Sequence, residues 1–570
     1  MFQASTAGMG RDRDIFQRTG WTGPKGAIGD SFVCMREACQ GFTMNAEKAK
    51  PLRAWLVRNG LWLGLYAVLG GWLCAAFFAG PMLPWRDLPD HLALISLLDH
   101  ARVAGSVAAD HYQIQGQPVP YWLFYGSVWL LARAMSYVGA MQVVAALGLL
   151  ATPLALGALL RSVGRDWRWG VLALPLFFNH NLMYGWVSFC LGVPVLFMAL
   201  AALIRLLDQR GSPVALGLWA CLLFLAHAQL AALFAILTVY AVVRRGRAEI
   251  WTSIKRVAAP LATPVVLGMP WVIARLMGSH SRGENTDGPA VIFHDPVTRL
   301  KRLPDYLTNC WSGNSDDWMG LATIALVVLL VRLRPPTGLM GHRDRRIASG
   351  LVGITAALYL IAPWELRWPT NQWAIYNRFA MIALTMAPLL IEVPFPRHLW
   401  RDRRWPALWL TAAWALVVAN FGADNRRVYA EFNERNAFVL EAVRSMEPNQ
   451  RILPLVQDAS DAASHLGAAD QFHAYYIIEH GGYDPYLFDN PSHPVVHRAE
   501  VKPTVPPWNR PHRNAALRAL KGWAKAEAGK DRGFAYVIEQ RGGQEKRRLS
   551  KAYEPPERIG RWVIHKAKSP

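Results

Sequence analysis

The chain has 570 residues, 53% of them hydrophobic and 18% charged, with 25 tryptophans and a formal net charge of +21. The apolar share is above a soluble average and fills charge-poor runs between about residues 60 and 421, which excludes a simple water-soluble globule. The six cysteines (34, 39, 74, 190, 221 and 310) form no disulfide or zinc pattern, and the basic clusters carry no recognition motif, so nucleic acid is not an expected partner.

Residues 1–58 read as a basic cytoplasmic extension, predicted to be disordered, with Met44 an alternative start. The first apolar run, Gly60 to Gly80, is long enough to cross a bilayer and is too long and too far in for a cleavable signal peptide. Lys25, Arg36, Lys48, Lys50, Arg53 and Arg58 precede it and assign the N-terminus to the cytoplasm. Basic clusters recur at Arg161–Arg168, Arg205 with Arg210, Arg244–Arg256, Arg332–Arg346 and Arg397–Arg404. Keeping all of them inside predicts about 11 spans, near 60–80, 139–160, 170–185, 187–207, 213–227, 228–243, 257–277, 319–333, 347–363, 380–393 and 405–421. Tyr121–Tyr137, with Arg133, is then an interfacial helix. The first outer loop is 81–120. The tips near Asn179–Gly185 and His227, the loops Gly278–Trp318 and Glu365–Arg378, and the tail share its face. A transporter more often buries polar groups near the bilayer midplane.

The first outer loop opens with Leu83-Pro-Trp-Arg-Asp-Leu-Pro-Asp-His-Leu92, which sets Asp87, Asp90 and His91 where ionisable groups are expensive without a task. Leu92, Ile95, Leu98, Arg102 and Val103 recur at helical spacing and predict a helix from Asp90 to Asp110. Asp90 reads as an N-cap satisfying free amides, which leaves Asp87 the better catalytic candidate. Asp110 and His111 form a second acidic–histidine pair, or a loop facing water. His180 in Phe178-Asn-His-Asn181 and His227 in Leu225-Ala-His-Ala-Gln229 sit at hairpin tips, as structural histidines or as cavity walls. Arg378, in Tyr376-Asn-Arg-Phe379, ends a span where a lipid phosphate lies, and its planar fork suits phosphate, although snorkelling toward headgroups explains it as well. Arg299, Lys301 and Arg302 are alternatives.

The tail continues as a helix over Asn425–Arg444, strands at 451–456, 534–538 and 561–564, and a helix at 515–527, which reads as a small α/β domain. It has no phosphate-binding glycine loop. His473–Phe488 is rich in aromatics and hydrogen-bonding groups, fitting an acceptor sugar or a plain domain core.

Trp85-Arg-Asp87-Leu-Pro-Asp-His91-Leu resembles the loop start of oligosaccharyltransferase catalytic subunits. Pro118-Val-Pro-Tyr121-Trp122-Leu resembles the proline–aromatic segment of aminoarabinose and protein O-mannosyl transferases, ahead of a span ending in Leu159-Leu-Arg161. Both belong to the GT-C superfamily, and Asn179–Gly185 and His473–Phe488 resemble its bacterial members. The resemblance implies an α-helical polytopic membrane protein: the extension 1–58, a multi-span GT-C-like domain 59–421, and a C-terminal extracytoplasmic α/β domain 422–570. It implies a glycosyltransferase of the bacterial cytoplasmic (inner) membrane that acts in envelope assembly. Its partners would be membrane lipid, a polyprenyl-phosphate sugar donor and a glycan, lipid or protein acceptor. Asp87 would take the acceptor proton, with Asp90 or His91 orienting it or binding a divalent cation such as Mg or Mn. Arg378, His227, His180, Asp110, His111, Tyr121 and Trp122 would bind substrate. The Asp-Glu or Asp-x-Asp form of the superfamily is absent here. A flippase for lipid-linked glycan and a non-catalytic envelope scaffold are the other readings.

Overall fold

The computed structural model describes residues 46–278, 291–308, 310–333, 342–366, 372–396, 405–456, 460–462, 466–490, 492–498, 534–540 and 553–568. The extension before residue 46, the basic cluster at 397–404 and the expected helix at 515–527 lie outside them. The described residues from Leu61 onward form one compact unit.

Among the described residues five helices are long and apolar enough to cross a membrane: Asn59–Phe78, Tyr137–Ser162, Val187–Leu207, Ile250–Ala274 and Pro406–Ser445. Trp122–Leu131, Pro213–Ala226, Ala228–Val243 and Asn377–Leu390 are apolar but shorter. Helices Ser315–Arg332 and His342–Ile361 occupy two further expected spans. These helices give a multi-pass membrane protein, and among the described residues five of them reach full spanning length. The expected span at 170–185 is not a helix. It consists of the 3-10 segments Trp167–Ala173 and Pro175–Phe177 and the four-residue helix His180–Met183. Pro175 and the self-capping Asn179 break the helix, and Gly170 lies too close to the Pro153 carbonyl and Gly157 for any side chain. Irregular backbone is tolerated at membrane depth where protein surrounds it, and these residues are almost all buried.

The polar contacts gather at the two ends of helix Tyr137–Ser162, which at 1.5 Å per residue is about 39 Å long. At its start the Tyr137 hydroxyl donates to Asp99 (2.5 Å), which also pairs with Arg133. Beyond its end, Arg165 pairs with Glu392 (3.5 Å) and Arg345 with the same carboxylate (2.8 Å). In the same way Asp208 draws in Arg245 (2.5 Å), Arg210 (2.7 Å) and Arg343 (3.5 Å). The basic loops assigned to one face from the sequence thus bond to one another.

The strands are β1 (Tyr112–Ile114), β2 (Val291–Ile292), β3 (Glu365–Leu366), β4 (Gln372–Trp373), β5 (Ile452–Val456), β6 (Val495–His497), β7 (Tyr536–Gln540), β8 (Glu557–Ile559) and β9 (Trp562–Lys566). Three of them match the strands read from the tail. With β8 they form the four-stranded sheet β5-β7-β9-β8, parallel between β5 and β7 and antiparallel elsewhere. A second sheet joins the first outer loop to the tail, with β1 antiparallel to β6 and Tyr112 opposite His497. Helix Trp405–Asn436 runs unbroken through position 421, so the tail grows directly out of the last apolar helix.

The expected Asp90–Asp110 helix is two pieces, Leu88–His100 and Val107–His111, separated at Gly105, whose φ is +74°. The loop reaches them past helix Trp405–Asn436, where Asn433 accepts from the Met82 amide (2.7 Å) and donates to its carbonyl (2.8 Å). It is then fastened to the Asn179–Gly185 turn. Gly185 has φ +95°, and a Cβ there would lie 2.6 Å from the Asp87 nitrogen. Gly185→Ala should therefore cost about 1–3 kcal/mol. Gly71→Ala, in a helix with open space around the Cα, should leave stability unchanged or slightly raised. Thermal unfolding of the two purified variants checks both, and a Gly185→Ala protein as stable as Gly71→Ala would contradict the packing.

Candidate active site

Asp87 is placed from both sides. The Arg86 amide donates to the Met183 carbonyl (3.0 Å) and the Asp87 amide to the Tyr184 carbonyl (3.1 Å). The neighbouring Trp85 is fully buried against Phe77 and donates its indole N–H to the Tyr429 hydroxyl (2.7 Å). Asp87 stands immediately before helix Leu88–His100, yet its side chain makes no capping bond. Its carboxylate lies 3.9 Å from Arg86. The Arg86 guanidinium donates to Asp470 (2.7 and 3.1 Å) and to the Tyr184 hydroxyl (2.8 Å), and sits 4.9 Å from the Tyr184 ring centroid. Burial opposes its charge, but Tyr184, Asp470 and Asp87 outweigh that and hold its pKa above the ordinary value.

Asp90 does not cap the helix. It lies in the first turn, is 0% exposed, and neither carboxylate oxygen makes a hydrogen bond of ordinary geometry among the described residues. Burial, and then the charges of Asp484, Asp87 and Asp470, push its pKa well above the usual carboxyl range, against only a weak pull from the Phe488 backbone. His91 is also buried. Its Nδ1 is 2.8 Å from the Tyr125 hydroxyl, and the rings of Phe488, His493, Phe124 and Tyr125 surround it at 5.2–5.9 Å. Burial, reinforced by His493, lowers its pKa well below the ordinary histidine value, so it is a neutral imidazole. Behind them His473 and Asp484 form a buried pair at 2.5 Å.

Arg378 begins helix Asn377–Met386 and is 5% exposed. Its guanidinium lies 4.1 Å from the Trp186 ring centroid and 5.5 Å from that of Phe189. Nη1 donates to Gln229 Oε1 (2.9 Å) and faces His227 Nε2 at 3.3 Å, whereas Nε has no partner among the described residues. His227 Nδ1 accepts the Gln229 amide (3.2 Å) as the cap of helix Ala228–Val243. The imidazole tautomer sets which of these two contacts is a hydrogen bond, and Arg378 Nε is the donor left for an anion.

Tyr121 connects the two groups. It holds a left-handed φ of +75°, a strained conformation for a side-chain-bearing residue, and its ring meets His227 (5.3 Å) and His493 (5.2 Å). The Tyr184 and Trp186 rings meet at 4.6 Å, inclined by 37°, so Arg86 and Arg378 lie over adjoining rings. Asp87 and Tyr184 act electrostatically on Arg378. A continuous set therefore runs from Asp87 through Tyr184, Trp186, Arg378, His227, Tyr121 and His493 to His91. His180 joins it, with its ring 5.8 Å from Tyr184 and 6.2 Å from Trp186.

Other candidates fall elsewhere. Trp122 packs between the main core and a small apolar cluster of Val119, Phe224 and Trp271. Asp110 is exposed, and His111 bonds its own helix at the Val107 carbonyl (2.8 Å) and lies on Tyr483 (4.1 Å). Arg299 is buried, spent on the carbonyls of His294, Tyr359 and Ala362, while Lys301 and Arg302 are exposed. Among the described residues no group of three or more His, Cys, Asp or Glu is placed to hold an ion. Arg86, Tyr184, Trp186, Gln229, Asp470 and His493 were not foreseen. Arg86 sat inside the quoted motif, but Asp470 and His493 reach the site only through the return of the tail.

No protein-family model matches the chain, and no curated protein sequence matches it. Solved structures do. ArnT from Cupriavidus metallidurans bound to undecaprenyl phosphate superposes with a TM-score of 0.50 at 11% identity, covering 89% of this chain and 98% of ArnT. The apo form of the same protein gives 0.50 at 12% identity, covering 90% and 98%. ArnT is a GT-C glycosyltransferase. Across nearly its whole length, then, this chain has the GT-C fold.

Proposed function

We propose that this protein transfers a sugar from a polyprenyl-phosphate donor to a glycan, lipid or protein acceptor at the extracytoplasmic face of the cytoplasmic membrane. The observation that carries the reading is a half-satisfied Arg378 placed over Trp186, whose neighbour Tyr184 accepts the Asp87 amide, so that the cation and the carboxylate lie on either side of adjoining rings. The GT-C fold supports it, since ArnT of that fold was solved with undecaprenyl phosphate bound.

The acceptor hydroxyl gives its proton to the Asp87 carboxylate as its oxygen bonds to the anomeric carbon. The bond from that carbon to the phosphate oxygen breaks, and the polyprenyl phosphate leaves with the electron pair. The Arg378 guanidinium, whose Nε has no partner among the described residues, receives the charge that develops on it. Asp90 is unsuited to be the base because burial favours its protonated form. His91 orients Tyr125 and packs the floor of the site.

Loss of a general base costs roughly 10²–10⁴-fold in rate. Asp87→Asn should lower kcat by that order in a reconstituted transfer assay while the protein remains folded. Asp90→Asn should keep activity within a few-fold, and the opposite ranking would refute the assignment. For the phosphate, Arg378→Gln should weaken undecaprenyl phosphate binding by about 10- to 100-fold, the equivalent of one charged hydrogen bond. Native mass spectrometry of nanodisc-held protein measures this. Wild-type protein that does not bind undecaprenyl phosphate would end the reading.

Asp90 also makes a pH prediction. Its folded pKa lies above the ordinary 3.8, so the folded state holds a proton that the unfolded chain releases. The stability this group contributes is full below about pH 3.8 and is lost as pH rises toward the folded value, by about 1.4 kcal/mol per pH unit. Asp90→Asn should thus gain stability over wild type as pH increases, with the gap closing near pH 4. Denaturation midpoints measured from pH 4 to 8 test it; a gap independent of pH would show that Asp90 titrates normally.

A further inference from the structure

Trp373 has no part in the chemistry above, yet it is 41% exposed beside that chemistry. It ends the small antiparallel sheet β2-β3-β4, paired with Glu365. Its indole meets Tyr184 (5.5 Å, 69°), Trp186 (5.5 Å, 86°) and Trp364 (6.2 Å, 65°) edge-to-face. Three steeply inclined rings hold the plane of the indole and leave about two-fifths of the residue open.

The neighbours are unlike those of a tryptophan anchored in lipid. Tyr184 carries the Arg86 guanidinium and Trp186 carries that of Arg378, so the rings behind Trp373 are capped by charge rather than by hydrocarbon. Around the same two rings are buried polar atoms without partners among the described residues: His180 Nδ1, on a ring 9% exposed, and Arg378 Nε. An unpaired buried polar atom is costly, so a ligand that supplies hydroxyls would recover that loss. The required ligand has an apolar face for the indole and a polar rim for the imidazole and guanidinium. A pyranose ring has that form, with axial C–H groups on one face and hydroxyls around its edge.

We infer that Trp373, backed by Tyr184 and Trp186 and rimmed by His180, is a stacking platform for a pyranose ring. The platform adjoins both Asp87, through the Tyr184 carbonyl, and Arg378, through Trp186. Its place in turnover rests on the transferase reading, as the seat of either the sugar being moved or the acceptor sugar. Its ability to bind a pyranose does not.

Saturation-transfer NMR on the full-length protein tests this, in nanodiscs free of glycoside detergents, with methyl β-D-glucopyranoside, methyl β-D-galactopyranoside and methyl α-D-mannopyranoside as probes. At least one probe should receive saturation, strongest at its axial ring protons. Trp373→Ala should cut that signal roughly 3- to 10-fold, the worth of one aromatic contact, whereas Trp373→Phe should retain most of it. Trp318→Ala, which removes an exposed tryptophan (66%) from helix Ser315–Arg332, should change nothing. Undecaprenyl phosphate binding by Trp373→Ala should stay at the wild-type level. Absence of saturation in wild type, or an equal signal in Trp373→Ala, overturns the platform even if undecaprenyl phosphate binds. Loss of signal in Trp318→Ala as well would mark Trp373 as a membrane anchor and overturn it too. With undecaprenyl phosphate glucose added, displacement of the glycoside assigns the platform to the donor sugar and persistence assigns it to the acceptor. Both support the inference.

Discussion

Two backbone hydrogen bonds, from Arg86 and Asp87 to the carbonyls of Met183 and Tyr184, hold the first outer loop against the Asn179–Gly185 turn. Each adds little net stability, but leaving such groups buried and unpaired would cost about 1–3 kcal/mol apiece, so the register is strongly specified. Gly185 makes the contact possible, because any side chain there would strike the Asp87 backbone. From this seam the candidate site follows. Tyr184 is fixed under Arg86, Trp186 under Arg378, and Asp87 comes within electrostatic reach of Arg378.

The tail closes the same seam from the other side. Asp470 anchors Arg86, His493 inserts between His91 and Tyr121, and β6 extends β1. Helix Ala474–His480 lies on Leu88–His100, with Ser96 bonded to the Ile477 carbonyl (3.2 Å). The His473–Phe488 stretch therefore works as packing for the first outer loop. This arrangement has a thermodynamic cost in Asp90, a carboxyl surrounded by three other acidic groups and lacking good hydrogen bonds. Neutralising a buried acid by protonation is much cheaper than desolvating its charge.

Much of the frame was legible in the chain itself. Apolar length located helices such as Tyr137–Ser162 and Val187–Leu207 to within a few residues, because a bilayer sets a minimum run that few other demands imitate. The basic loops identified one end of the bundle, and their ion pairs to Glu392 and Asp208 are built at that end. Where the reading failed, tertiary packing overrode pattern. The 167–183 stretch is apolar enough for a span, but Gly170 and Pro175 fit it against helix Tyr137–Ser162 as 3-10 turns. Asp90 had the spacing of a cap, yet the helix begins two residues earlier and turns the carboxyl into the core.

Alone, the sequence determined what is set by local composition: which segments are apolar enough for lipid, where their charged ends lie, and that Asp87, His91, His227 and Arg378 flank apolar segments. Only the tertiary structure decided which of those groups meet. Asp87 and Arg378 are 291 positions apart by their numbers, and Asp470 and His493 come from further still. Their neighbourhood depends on close packing of elements that no local pattern couples, so the Tyr184–Trp186–Trp373 cluster becomes visible only once the turn, the hairpin and the tail have closed on one another.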